Sequence, residues 1–86
     1  MDSITVTAGS PQVIAVVSNK YYGVRVVGAD VAIKEKLDGV FFEPLSENSV
    51  ISNGDTRPIV SNSRSLELSV EAGEARVYIG ASKVDS

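Results

Sequence analysis

The sequence predicts an all-β fold: a small antiparallel β-sandwich of eight or nine short strands, with a jelly-roll arrangement as one option. Fourteen Val and six Ile stand against four Leu in a chain of 86 residues, and β-branched side chains favour strands over helices. Short alternating runs are also separated by turn residues at close spacing. We expect a single domain, residues 1–86, in which 1–10 hold an N-terminal strand that could dock on a partner.

The composition excludes several kinds of chemistry. The chain has no Cys, which rules out disulfides and thiolate nucleophiles, and no His, the commonest ligand in zinc, copper and non-haem iron sites. Without His, the Ser-His-Asp and Cys-His catalytic arrangements cannot form. We therefore predict that the protein is not an enzyme and uses no cofactor.

The charge pattern predicts neither a nucleic-acid partner nor a membrane. Eight basic and eleven acidic residues give a net charge of −3 and are mixed along the chain without a basic run. The N-terminus carries an early acid and no apolar signal-peptide core, and no run approaches the roughly 18 apolar residues of a membrane span. Synthesis in the cytoplasm is expected.

Residues 66–79, LELSVEAGEARVYI, form the clearest pattern in the chain. Apolar and polar residues alternate on both sides of the segment Glu71-Ala72-Gly73-Glu74, which predicts a β-hairpin with a four-residue loop and a positive φ at Gly73. The facing pairs would be Val70 with Ala75, Leu68 with Val77, and Leu66 with Ile79.

The first third of the chain predicts three strands. Residues 4–7 alternate weakly, 12–18 form a β-branched run long enough for a central strand, and 21–27 place Val24 and Val26 on one face. Tyr21 and Tyr22 stand at the start of the third strand. They are predicted to cover the end of the core with their hydroxyls in water, and contact with a partner is the alternative.

Residues 30–45 predict a second hairpin, although a short helix over 31–38 is an alternative. The two-residue turn Asp38-Gly39 would pair Leu37 with Val40, Glu35 with Phe42, and Ile33 with Pro44. In this register Phe41 stands opposite Lys36, among charged residues. Its ring is then either shielded by the lysine stem or buried against another subunit.

Residues 46–65 predict short strands at 50–51 and 59–60 around a turn at Asn53-Gly54. Pro58 removes a ladder donor, so the second of these strands should lie at a sheet edge or carry a bulge. Residues 81–86 are expected to be a frayed tail.

The charged residues suggest surface chemistry more than catalysis. Glu67, Glu71 and Glu74 would lie near one another on the last hairpin, where no cleft desolvates an acid–base pair. A calcium site from loop carboxylates is an alternative for the remaining acids, but turn chemistry explains them better. Those acids are Asp30, Asp38 and Asp55. The arginines suited to an interface or a surface ion pair are Arg57, Arg64 and Arg76.

Residues 31–82 resemble a known family. VAIKEKLDGVFFEPL is followed by a loop containing Asn-Gly, by RPIV, and by SLELSVEAGEARVYIGA. This succession is similar to the short β-sandwich proteins that coat the heads of tailed phages. In those proteins a strand of the type vxixxxxDGxxFxPL precedes a Gly-punctuated loop and a closing hairpin LxLxVxAGxxRVY. The chain shows no long N-terminal arm before this pattern, and no invariant residue of the family carries over.

The resemblance implies a capsid decoration, or cement, protein: a structural virion component that binds the outer capsid surface and stabilises it. Its partners would be the major capsid protein and copies of itself, a trimer above all. Its place would be the capsid surface of the virion, after synthesis in the host cytoplasm. The residues predicted at interfaces are Phe41, Tyr21, Tyr22, Arg57, Ile4 and Val6, with 4–7 as a strand that could add to a neighbouring sheet.

Two other functional classes stay open. One is a glycan-binding or host-adsorption module, since small jelly rolls also serve as lectins, although the chain has no Trp and only three Tyr to stack on sugars. The other is a different virion component, such as a connector or tail protein.

Overall fold

A computed structural model describes residues 2–37, 41–45 and 48–81 of the chain. The described residues form nine strands and no helix, which confirms the predicted all-β class. The strands are β1 (Asp2–Thr7), β2 (Gln12–Ala15), β3 (Tyr21–Val27), β4 (Val31–Leu37), β5 (Phe41–Pro44), β6 (Val50–Ile51), β7 (Thr56–Val60), β8 (Ser65–Ser69) and β9 (Glu74–Ala81).

The strands form two antiparallel sheets packed as a sandwich. Sheet A has the order β1-β9-β3-β7, and sheet B has the order β2-β8-β4-β5, with β6 also paired to β4. The first strand therefore pairs with the last, the second with the eighth and the third with the seventh. This is the strand order of a jelly roll, in which a long folded-over chain wraps around one core. The jelly-roll arrangement, which the sequence predicted as one option, is therefore the observed one.

The predicted hairpin over residues 66–79 is wrong. Strand β8 lies in sheet B between β2 and β4, whereas β9 lies in sheet A between β1 and β3, so the connection around Gly73 is an arch between the sheets. The alternation indicated the apolar faces correctly, since Leu66 and Leu68 are 1% exposed and Val77 is fully buried. An apolar face can be covered by a strand in the opposite sheet as well as by its neighbour, so alternation alone does not select the partner.

The core lies between the inner faces of the two sheets. Ile33 of β4 is directly opposite Leu68 of β8, and both are buried in the middle of sheet B. Val24 and Val26 of β3 face them from sheet A, on one face as predicted. The full set of buried apolar residues is Val6, Val16, Val24, Val26, Val31, Ile33, Leu45, Ile51, Ile59, Leu66, Leu68, Val70, Ala75 and Val77.

Strands β4 and β5 form the predicted hairpin, and the helix alternative is not realised in the described residues of this segment. Its register, however, is shifted by one residue from the predicted one: Leu37 lies opposite Phe41, and Lys36 opposite Phe42. The shift places Leu45 beside Ile33, whose carbonyl accepts a hydrogen bond from the Leu45 amide, and Leu45 is 5% exposed. Burial of this leucine favours the observed register. The turn at 38–40 and the predicted tail at 82–86 lie outside the described residues.

Two further strand predictions have different outcomes. The run 12–18 does not form a central strand: β2 covers only Gln12–Ala15 and lies at the edge of sheet B, paired with β8 alone. Val13 and Val17 are consequently 58% exposed each. The short strands at 50–51 and 59–60 are confirmed as β6 and part of β7, and Pro58 lies in an edge strand as predicted.

A pair of hydrogen bonds joins sheet B to the connection between β7 and β8. The Oε1 atom of Glu35 accepts hydrogen bonds from the Ser61 hydroxyl and from the Asn62 amide, each at 3.0 Å. Ser61 is a buried polar residue, 3% exposed, and its hydroxyl oxygen in turn accepts a bond from the Ser63 amide. Glu35 thus satisfies a polar group that water cannot reach.

Glu35→Ala is expected to lower the free energy of unfolding by about 1–3 kcal/mol, because the Ser61 hydroxyl loses its acceptor. Glu35→Gln keeps the oxygen acceptor and should cost less. Glu43→Ala is the matched control, since Glu43 is exposed and lies directly opposite Glu35 on β5. Thermal melting followed by circular dichroism compares the three variants. Equal shifts of the melting temperature for Glu35→Ala and Glu43→Ala would contradict a stabilising role of the hydrogen bonds to Glu35.

Candidate partner-binding cleft

An open cleft of about 470 Å³ lies at one end of the sandwich, between the sheets. Sheet A contributes β1, β3 and β9 to it, and sheet B contributes β2 and the residue that follows. The lining residues are mostly apolar: Ile4, Ile14, Ala15, Val16, Tyr22, Ile79 and Gly80. An apolar concavity of this kind can receive apolar side chains of another molecule.

The edge positions of β1 and β2 leave this end of the core incompletely covered. Ile4, Ile14, Tyr22 and Ile79 are only partly buried and pack against the core cluster. The Tyr22 hydroxyl accepts a hydrogen bond of 2.8 Å from the Val17 amide, so the ring is held across the entrance. The Tyr22 ring therefore covers the end of the core as predicted and also lines the cleft, but its hydroxyl bonds a backbone amide, whereas the sequence predicted contact with water.

The cleft brings together two of the six residues predicted at interfaces, Ile4 and Tyr22. Tyr21 precedes Tyr22 in the chain and is 41% exposed on the outer face of sheet A, so the prediction that it covers the end of the core is wrong. Val6 is fully buried in the core of its own chain. Its side chain could contact a partner only if β1 left its place beside β9, so strand exchange by 4–7 stays a prediction.

The remaining two predicted residues lie away from the cleft. Arg57 is on β7, at the opposite edge of sheet A from β1, and forms an exposed ion pair with Asp55 at 3.6 Å. Phe41 is on β5, at the opposite edge of sheet B from β2. Its register partner is Leu37 instead of the predicted Lys36, and its side chain lies outside the described part of the structure.

The acidic residues are spread over the molecule. Glu67 lies in sheet B opposite Lys34, and Glu74 lies in sheet A, so the predicted cluster on one hairpin is wrong. Asp30 accepts a hydrogen bond from the Asn53 amide in a different loop, and the Asn53 side chain accepts one from Gly28. Within the described ranges no group of three or more possible metal-ligating side chains occurs.

Sequence reasoning missed five of the cleft residues. Ile14 and Val16 belonged to a run predicted as a central strand, and Ile79 ended a predicted hairpin that Gly80 follows, so none of them was expected at an open edge. Nothing in the sequence marks Ala15 as a binding residue. Pairing between β1 and β9, and between β2 and β8, creates the cleft, and this pairing joins opposite ends of the chain.

Comparisons with known proteins give no relative for this chain. No protein-family model matches it, and neither a curated protein nor a solved structure is significantly similar to it. In the part of the chain that the structure describes, no helix is long and apolar enough to cross a membrane.

Proposed function

We propose that this protein is a capsid decoration protein that binds the outer surface of a phage head and stabilises it. The observation that carries the proposal is the apolar cleft between the sheets, whose half-buried Ile4, Ile14, Tyr22 and Ile79 form a surface suited to an apolar segment of another protein. The docked segment would belong to the major capsid protein.

Two further considerations support this function. The sequence pattern of residues 31–82 resembles phage head-coating proteins, and the jelly roll is a fold of viral capsid domains as well as of lectins. The second point is an analogy at the level of the fold, and the cleft supplies the specific site.

The mechanism would be clamping. One copy, or one homo-oligomer with a trimer as the expected form, contacts neighbouring capsid subunits and raises the free energy needed to separate them. Each docking contact is small, so repeated contacts from one oligomer strengthen the attachment through effective concentration. No catalytic step is involved.

Co-sedimentation tests this function. Purified protein is mixed with empty capsids assembled from the major capsid protein encoded in the same genome, the particles are pelleted, and the bound protein is quantified. Saturable binding at a fixed copy number per capsid subunit, with greater resistance of the particle to heat, is expected. The absence of saturable binding would overturn the proposal.

Ile14→Lys is expected to lower capsid occupancy by at least about tenfold, because it places a charge in the apolar contact. Ile14 lines the cleft on the edge strand β2 and is only partly buried. Val13→Lys is the matched control: Val13 precedes it in β2, is 58% exposed and faces away from the core. Equal occupancy of the two variants, with equal melting temperatures, would exclude the cleft as the docking site.

A further inference from the structure

The outer face of sheet A carries two arginines, one exposed acid, Glu74, and several hydroxyl groups, and so has an excess of positive charge on a protein of net charge −3. Arg25 of β3 lies directly opposite Tyr78 of β9, and Arg76 lies two residues away from Tyr78 on the same strand and face. Both arginines are exposed. In the described residues neither guanidinium has an acidic partner, since the recorded ion pair there is between Arg57 and Asp55.

The registers place hydrogen-bonding side chains in a row across this face. Ser3, Tyr78, Arg25 and Thr56 follow one another across β1, β9, β3 and β7. Each of these side chains can donate a hydrogen bond. The row therefore presents donors along the whole width of the sheet.

Beside this row lies a shallow trough. Gly80, Gly23 and Pro58 are directly opposite one another on β9, β3 and β7, so no long side chain rises from this part of the face. On the far side of the trough Tyr21 lies opposite Val60. The two flanking rows are four residues apart along β3, which corresponds to about 13 Å between their Cα atoms. Two of the three tyrosines of the chain thus border one trough.

We propose that this face binds an acidic polysaccharide. The carboxylates of the saccharide would lie at Arg25 and Arg76, and its sugar rings would lie in the trough beside the tyrosines. Guanidinium groups form strong, directional bonds to carboxylates, and tyrosine rings offer apolar faces for sugar rings. The site lies on the opposite face of sheet A from the cleft, and the inference does not depend on capsid binding.

A saccharide fits this surface better than an acidic peptide does. The backbone groups in the middle of the sheet are already paired in the ladders between β1, β9, β3 and β7, so they cannot satisfy the backbone of an added peptide. Sugar hydroxyls need only side-chain partners, which the row of Ser3, Tyr78, Arg25 and Thr56 supplies. A second copy of this chain is a further competing occupant, and the test separates it.

The test is a titration of the ¹⁵N-labelled protein, followed by amide chemical shifts, with oligogalacturonate, hyaluronan oligomers and oligosialic acid. A neutral malto-oligosaccharide and poly-L-glutamate serve as controls. Saturable shifts at Gly23, Arg25 and Gly80 with at least one acidic saccharide, and none with the controls, are expected. The proposal is overturned by any of three results: no saturable shift with all three saccharides, equal binding of poly-L-glutamate, or shifts at this face that depend only on protein concentration.

Two variants sharpen the test. Arg25→Gln should weaken binding by about tenfold, since it removes a charge-assisted hydrogen bond, whereas Arg64→Gln removes the same charge from a loop outside this face and should change binding by less than about twofold. Gly23→Leu should abolish binding, because it fills the trough. A Cβ at Gly23 meets no atom within 4 Å, so the fold should be retained. Unchanged binding in Arg25→Gln and Gly23→Leu would also overturn the site.

Discussion

Gly28→Ala is expected to lower the free energy of unfolding by about 3 kcal/mol, and the melting temperature by about 12–24 °C. Gly28 has a φ of +111°, which non-glycine residues rarely adopt. A Cβ at this position would lie 2.6 Å from the Glu74 carbonyl oxygen, at the beginning of β9. Relief of this overlap requires movement of backbone, and the Gly28 amide also donates a 2.8 Å bond to Asn53 Oδ1 that the movement would disturb.

Two other glycines separate the causes of this loss. Gly73 has a φ of +81° but no atom within 4 Å of its added Cβ, so Gly73→Ala should cost only the backbone strain, about 1–2 kcal/mol. Gly23 has neither feature, and Gly23→Ala should stabilise by about 0.5–1 kcal/mol. Thermal melts of the three variants measure this order. A loss at Gly28 no larger than that at Gly73 would show that the contact with Glu74 is absent.

Ile33→Ala is expected to cost about 2–5 kcal/mol, because the side chain is fully buried and its removal leaves a cavity in addition to the lost apolar burial. A domain of this size has a total free energy of unfolding of about 4–13 kcal/mol, so the variant should lose a large fraction of its stability. Ile33 lies on β4 opposite Leu68, and β4 and β8 are the two inner strands of sheet B.

Urea unfolding measures this loss against two controls. Ile33→Val removes a single methyl group and should cost about 0.5–1.5 kcal/mol. Val13→Ala, at a position 58% exposed, should change stability by no more than about 0.5 kcal/mol. Similar midpoints for Ile33→Ala and Val13→Ala would contradict the burial of Ile33 in the core.

The sequence predicts strand positions and apolar faces well, because alternation and turn residues are local signals. Val24 and Val26, for example, share a buried face as expected, and Pro58 lies at a sheet edge. Strand partners were harder to predict. The pattern from Leu66 to Ile79 fits both a hairpin and an arch between sheets, and the choice depends on β1 and β3, which are distant in the chain.

The candidate site was only partly predictable for the same reason. Ile4 and Tyr22 could be proposed because they are apolar or aromatic residues near strand starts. Ile14 and Ile79 read as ordinary core residues, and only the edge positions of β1 and β2 expose them. The trough on sheet A depends on Gly23 lying opposite both Gly80 and Pro58, a register that no local pattern specifies.

The position of β9 determines when the protein can fold during synthesis. The last strand of the described residues, β9, lies inside sheet A, where it is hydrogen-bonded to both β1 and β3. Until Glu74–Ala81 has emerged, β1 has no partner in its sheet and β3 lacks one of its two neighbours. The nascent chain therefore exposes the apolar faces of both strands until β9 has been synthesised, and sheet A can close only then.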